Sequence, residues 1–121
     1  MTTTVDNGKS QGNQQWNTSG GNNTQDKVFQ LSYAEAREYF KNDSNRKCVP
    51  TDYAVKQGVY TSNDYKVDGK ATCWWWLRSL DDRTWNGAAD VFLGDLLYYY
   101  SVNYTSGAVR PAIWLNLESG I

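Results

Sequence analysis

The stretch CWWWLRS, Cys73 to Ser79, decides how the rest of this chain is read. Three consecutive indoles and a leucine fit a strand, in which neighbouring side chains alternate between the two faces. Trp74 and Trp76 then share one face, and Trp75 and Leu77 the other. The segments AADVFL (from Ala88), LLYYY (from Leu96) and AVRPAIWLNL (from Ala108) supply further strands, with glycine-containing turns between them. The second half therefore reads as β-rich and antiparallel. Pro111 has no amide to donate, so the last strand belongs at an edge or a bulge. Trp74, Trp75, Trp76 and Trp114 carry enough apolar area to be the core, with a sugar-stacking platform as their competing use. Arg78 and Arg110 read as residues that fix turns through carbonyls or carboxylates, with Asp81 and Asp82 as candidate partners.

Upstream, VFQLSYAEAREYF starts as a short strand through Val28, Phe29 and Leu31. Ser32 and Glu35 then form a capping box, and Tyr33, Ala36, Tyr39 and Phe40 make one helical face. PTDYAVKQG repeats the device with Thr51 as N-cap, Asp52 in the first turn and Gly58 as the stop. Residues 59–70 are polar, with SND and VDGK as turn signals. Two short helices followed by a meandering sheet make an α+β domain. Residues 1–26 are almost wholly Thr, Asn, Gln, Gly and Ser, and read as a flexible polar arm before a domain over 27–121. Trp16 is the one large group that could dock such an arm.

The chain has 121 residues, one domain by length, with 12 basic and 13 acidic side chains and a net charge of -1. No basic cluster is present to neutralise a row of phosphates, so nucleic acid is not an expected partner. No apolar run reaches membrane-spanning length, and membrane insertion is not expected. The first residues lack a signal-peptide profile, so either export follows another route or a leader has been removed. Histidine is absent, which takes away the commonest general base and metal ligand. Cys48 and Cys73 either pair as one disulfide or stand as two buried thiols; both flank segments expected in the core, which favours their proximity.

Between Gly94 and Gly107 the chain reads GDLLYYYSVNYTSG. An ordinary strand would turn Tyr98 and Tyr100 inward and Tyr99 outward. Tyrosine also offers large contact area, few rotatable bonds and a polar tip, the properties that natural binding loops exploit. A binding face is thus expected from Asp90, Phe92, Leu93, Asp95, Leu97, Tyr98, Tyr99, Tyr100, Val102, Tyr104 and Thr105. The expected scaffold is Phe29, Leu31, Tyr39, Phe40, Trp74, Trp76, Trp114 and Leu115.

The pairing of CWWWLRS with AVRPAIWLNL, preceded by VFQLSYAEAREYF and RKCVPTDYAVKQG, resembles over about residues 27–117 a bacterial domain family of unassigned activity. That family carries a WWLRSPG motif, a stretch beginning AA and a VRPALWL ending; Leu80 stands where its proline is common, which affects only a local turn. Its members look like C-type-lectin-like folds, akin to formylglycine-generating enzymes and to the variable proteins of diversity-generating retroelements. The resemblance implies a scaffold, Trp85 included, around an exposed segment over about 86–107 whose AAC or AAT codons are rewritten at adenines. Such rewriting never yields Trp, Met, Gln, Glu or Lys, and none of the five occurs in 86–107. The end of the chain just after VRPAIWLNL fits a C-terminal variable domain.

A non-catalytic receptor or adhesion protein follows, on a phage particle or a bacterial surface, with a protein or cell-surface glycan as ligand. No cofactor or metal is expected. The calcium-binding triplets of true C-type lectins are missing, TWNG departing from one at Gly87. No cysteine follows Cys73, so the oxidase chemistry of the formylglycine-generating enzymes does not carry over. The alternative is an assembly module whose aromatic face packs against a sister subunit, giving an oligomer.

Overall fold

The computed structural model describes residues 2–12, 21–80 and 87–115, and for 97–100 the backbone only. Trp16, Asp81, Asp82, Trp85 and Asn86 lie outside the described residues. In chain order the elements are β1 (Thr3–Val5), a 3-10 turn (Lys9–Gln11), β2 (Thr24–Asp26), β3 (Phe29–Gln30), α1 (Tyr33–Tyr39), α2 (Asp43–Arg46) and α3 (Asp52–Lys56). There follow β4 (Ser62–Val67), β5 (Lys70–Thr72), β6 (Trp75–Leu80), β7 (Gly87–Phe92), β8 (Asp95–Ser101) and β9 (Pro111–Ala112). The architecture is α+β, with three short helices and four small antiparallel sheets among the described residues.

The central sheet has the order β6-β7-β8, with Trp75 opposite Val91 and Val91 opposite Leu96. Alternation holds along β6 as the sequence predicts. Trp75, Leu77 and Ser79 are buried on one face, and Trp76 and Arg78 are half-buried on the other. Ala36, Cys73, Trp75, Leu77, Ala89, Val91 and Ala108 form the core, with Leu31, Tyr33, Phe40, Cys48, Val59 and Leu96 packed on it. The Trp75 indole N–H, which would be orphaned in such a place, donates to the Arg46 carbonyl at 3.0 Å.

Local sequence accounts for the helices. Glu35 N–H donates to Ser32 Oγ and Ser32 N–H to Glu35 Oε1, each at 3.0 Å, which completes the capping box of α1. Thr51 Oγ1 accepts from Ala54 N–H at 3.1 Å to start α3, and Gly58 leaves it at φ 100°. Helix α2, capped by Asn42, and strand β4 were not anticipated, each being too short and too polar to show an apolar period. The buried Arg46 of α2 donates to Gly94 O and Phe40 O, both at 2.8 Å, and pairs with Asp43. This clamps the helix to the β7–β8 turn, where a Cβ on Gly94 would lie 2.4 Å from Asp43 O.

Arg78 is structural, as expected, but its described partners lie elsewhere than Asp81 and Asp82. Its guanidinium donates to Glu35 Oε1 at 2.5 Å, Gln30 O at 2.9 Å, Asp6 O at 2.7 Å and Asn7 Oδ1 at 3.0 Å. The described part of the segment expected to be a free arm is thereby tied down. β1 pairs with β2, Val5 is buried, and Ser32 Oγ donates to Gln11 Oε1 at 2.8 Å. Composition suggested otherwise because the partners that order this segment lie some twenty residues away, in β2 and Ser32, and about seventy away, in Arg78 and Ser79.

Three scaffold expectations change. Tyr39, Trp114 (49 % exposed) and Leu115 (70 % exposed) are not core. β9 is only two residues long and pairs with β3, and among the described residues no further strand joins it, as Pro111 implies. Trp114 instead stacks on Phe29 at 6.3 Å and meets Tyr39 edge-on at 6.0 Å.

Candidate functional site

The second face of the β6–β7 pair carries Trp76, opposite Asp90, and Phe92 two residues further along β7. Trp74 precedes the strand and packs edge-on against Trp76, with ring centres 4.8 Å apart. After β8 the chain turns at Ser101, whose carbonyl accepts from Tyr104 N–H at 3.1 Å, and crosses back over this face. It then joins the start of β6 in a parallel bridge, Ala108 N–H donating to Trp74 O at 2.9 Å and Trp76 N–H to Ala108 O at 3.0 Å. The crossing demands glycine at 107, where a Cβ would come within 2.5 Å of the Trp74 ring and 2.8 Å of Trp76 Nε1.

Beside this crossing lies an open cleft of about 210 Å³, lined by Tyr60, Trp74, Phe92, Tyr104 and Ser106. Tyr60 N–H donates to Ser106 O at 3.0 Å, which brings the loop after α3 against the returning chain. The Tyr60 ring stacks on Phe92 at 6.5 Å with 15° between planes. Four aromatic side chains and three hydroxyls, those of Tyr60, Tyr104 and Ser106, around an open hollow offer apolar contact with a few polar handles, the usual make-up of a ligand site. A larger hollow of about 320 Å³, lined by Gly12, Tyr33, Ala34, Arg37 and Glu38, adjoins the undescribed residues 13–20.

Of the residues expected to bind, Phe92 and Tyr104 come together in the cleft. Val102 and Thr105 are exposed on the returning chain. Asp95 is exposed at the start of β8, where a hydrogen bond with Asp43, then burial, raises its carboxyl. The strand placement of Leu97, Tyr98, Tyr99 and Tyr100 is as expected, Leu97 opposite Asp90 and Tyr100 opposite Ala88 with a register shift between; their side chains lie outside the described residues.

Asp90 and Leu93 do not belong to an exposed face. Leu93 is buried in the two-residue β7–β8 turn, at φ 56° beside Gly94 at φ 107°. Such a turn needs two left-handed residues, and here the second side of the bargain with sterics is burial of the leucine. Asp90 is 0 % exposed, and neither carboxylate oxygen has a hydrogen-bond partner among the described residues. Burial pushes its carboxyl up to about 7.

Tyr60, Trp74 and Ser106 were missed as lining residues. Trp74 was read as core first, with a stacking platform as the alternative, and it is 2 % exposed while its ring still borders the cleft; nothing local marks Tyr60, whose place is set by a backbone bond to a residue 46 positions away. Among the described residues, no three His, Cys, Asp or Glu side chains gather to hold a metal ion. No helix among the described residues is long and apolar enough to cross a membrane.

The match to a family model covers residues 1–117. The chain belongs to the family described as Domain of unknown function (DUF6273). No curated protein and no solved structure matches it. For this DUF6273 chain the cleft geometry is therefore the main guide to function. The matched span includes the polar first segment that Arg78 holds.

Proposed function

We propose that this domain is a non-catalytic ligand-binding protein of C-type-lectin-like type, whose variable segment over about 86–107 presents a surface to a protein or glycan target. One observation carries the proposal: Phe92 and Tyr104, both from that segment, line an open aromatic cleft whose other walls, Tyr60 and Trp74, come from outside it. A scaffold that supplies two walls and leaves two to the variable stretch suits a receptor whose specificity changes while its fold does not. Tyr104, 52 % exposed on the returning chain, is the most exposed of the four aromatic side chains lining the cleft.

Sequencing the genomic locus tests the diversification. A near-copy of the stretch encoding 86–107, differing at adenines and lying beside a reverse transcriptase gene, is the expected finding. A single invariant copy would remove diversification and leave a fixed surface.

A second reading has its own support in Val109, Ile113, Trp114 and Leu115, all exposed around β9. An apolar strip of this kind suits a sister subunit or a further stretch of chain. Light scattering at micromolar concentration separates the two: a dimer that Trp114→Glu dissociates favours assembly, and a monomer rules it out at that concentration.

A further inference from the structure

Cys48 and Cys73 face one another across an isolated antiparallel bridge, with Cys73 N–H donating to Cys48 O at 2.9 Å. Residues so paired have Cα atoms roughly 4.5–5.5 Å apart, inside the span that a disulfide closes. Cys73 Sγ lies 3.4 Å from Cys48 O, to which its thiol donates, and the Cys48 thiol lies 3.8 Å from Val49 O. Their surroundings differ in access: Cys48 is half-buried and Cys73 is 0 % exposed. The third member of the cluster is Arg110, whose guanidinium sits 4.8 Å from the Phe40 ring centre and 4.9 Å from that of Trp75. One of its terminal nitrogens, Nη1, is buried with no hydrogen-bond partner among the described residues. Neither the stacked arginine nor the thiol pair has any part in the aromatic cleft.

We propose that Cys48 and Cys73 form a thiol–disulfide exchange site for small-molecule disulfides, with Cys48 attacking, Cys73 resolving and Arg110 as the neighbouring cation. The Cys48 thiolate attacks one sulfur of RS–SR, the S–S bond breaks, and RS⁻ departs and takes a proton from solvent. Cys73 then loses its proton to solvent and attacks Cys48 Sγ, expelling the second RS⁻, which is protonated in turn. Two cysteine thiols are oxidised to one internal disulfide, and one external disulfide is reduced to two thiols.

The electrostatics agree with this division of roles. The hydrogen bond from Cys73 lowers the Cys48 thiol to about 6, with Arg110 adding to the effect and burial opposing it. The same hydrogen bond and burial push Cys73 up, although Arg110 acts on it in the opposite sense. Cys73 and Arg110 are the titratable and charged groups acting on Cys48. A low-pKa thiolate is more abundant but less nucleophilic, so at pH 7 Cys48 gains only roughly twofold in rate over an ordinary thiol. The pH midpoint is the sharper signature.

The test incubates the reduced, native full chain with oxidised glutathione, quenches with acid, and maps adducts by mass spectrometry. Wild type is expected to form the internal disulfide, Cys73→Ser to stop at a glutathione adduct on Cys48, and Cys48→Ser to remain unmodified. Absence of the internal disulfide, or equal modification of the two variants, overturns the proposal. A measurement on wild type alone guards against a variant that does not fold: iodoacetamide alkylation of native protein should show a Cys48 midpoint near pH 6. Arg110→Gln should move that midpoint up and Arg110→Lys restore it. A wild-type midpoint at the ordinary thiol value of about 8.5 overturns the assignment.

Discussion

The two faces of the β6–β7 pair are built from neighbouring residues of the same strands and have opposite characters. On one face Trp75, Leu77 and Val91 meet the helices, and the polar groups there are satisfied: the Trp75 indole N–H donates to Arg46 O, and Ser79 Oγ accepts from Tyr33 N–H and donates to Gln11 O. On the other, Trp74, Trp76 and Phe92 meet a returning stretch of chain and the Tyr60 ring, and the buried Asp90 carboxylate has no hydrogen-bond partner among the described residues. Closing a face with helices gives close packing, whereas closing it with a strap leaves an edge of aromatic surface open beside the strap. The difference teaches that one aromatic strand can serve as core and as binding surface at once. Which residue does which is set by the parity of its position.

The largest effect belongs to the closed face. Trp75→Ala should lose about 3–5 kcal/mol in urea unfolding, from the cavity and the vacated Arg46 carbonyl. A loss under 1 kcal/mol would mean that the two faces are not so different. Next comes Asp90, whose carboxyl is raised to about 7 in the folded chain and returns to about 3.9 when unfolded. Between those values the folded state holds a proton that the unfolded state has lost, so stability falls as pH rises. The loss is complete above pH 7 and amounts to roughly 4 kcal/mol. Unfolding at pH 5 and pH 8 should show wild type weaker at pH 8 and Asp90→Asn nearly indifferent; a flat wild-type profile would mean that Asp90 has a partner in solution. Gly107→Ala, pressed against Trp74 and Trp76, should lose about 1–3 kcal/mol and disturb the cleft with it. Tyr104→Ala should change stability by less than about 0.5 kcal/mol and abolish target binding, because the ring is mostly in solvent. A large drop in its thermal midpoint would make the open face a second core and remove the basis for a binding role.

Much of this contrast is written locally. The capping box at Ser32 and Glu35, the Thr51 cap, the Gly58 stop and the alternation through Trp74 to Leu77 each follow from interactions within a few residues. The proximity of Cys48 and Cys73 followed from the core segments they flank. Less legible was everything that depends on a distant partner. Asp90 was expected at the surface because a carboxylate usually is, and its burial follows from the pairing opposite Trp76. Trp114 and Leu115 read as core because their segment looks like a full strand, yet among its described residues Ala108 makes one isolated bridge and Pro111 and Ala112 form a two-residue strand. Tyr60 sits in a polar stretch with no signal of its own.

By itself, then, the sequence determined the α+β class, the helix ends, the strand parity of the tryptophan run and the structural character of Arg78. These depend on backbone sterics and on hydrogen bonds between near neighbours, which a short window contains. Only the tertiary structure decided that residues 2–12 join the domain through Arg78, that Tyr60 and Trp74 complete a cleft begun by Phe92 and Tyr104, and that Arg110 stacks on Phe40 and Trp75. Each of these is a meeting of residues far apart in the chain. Such meetings are fixed by which faces must be covered, and that is a property of the packed whole.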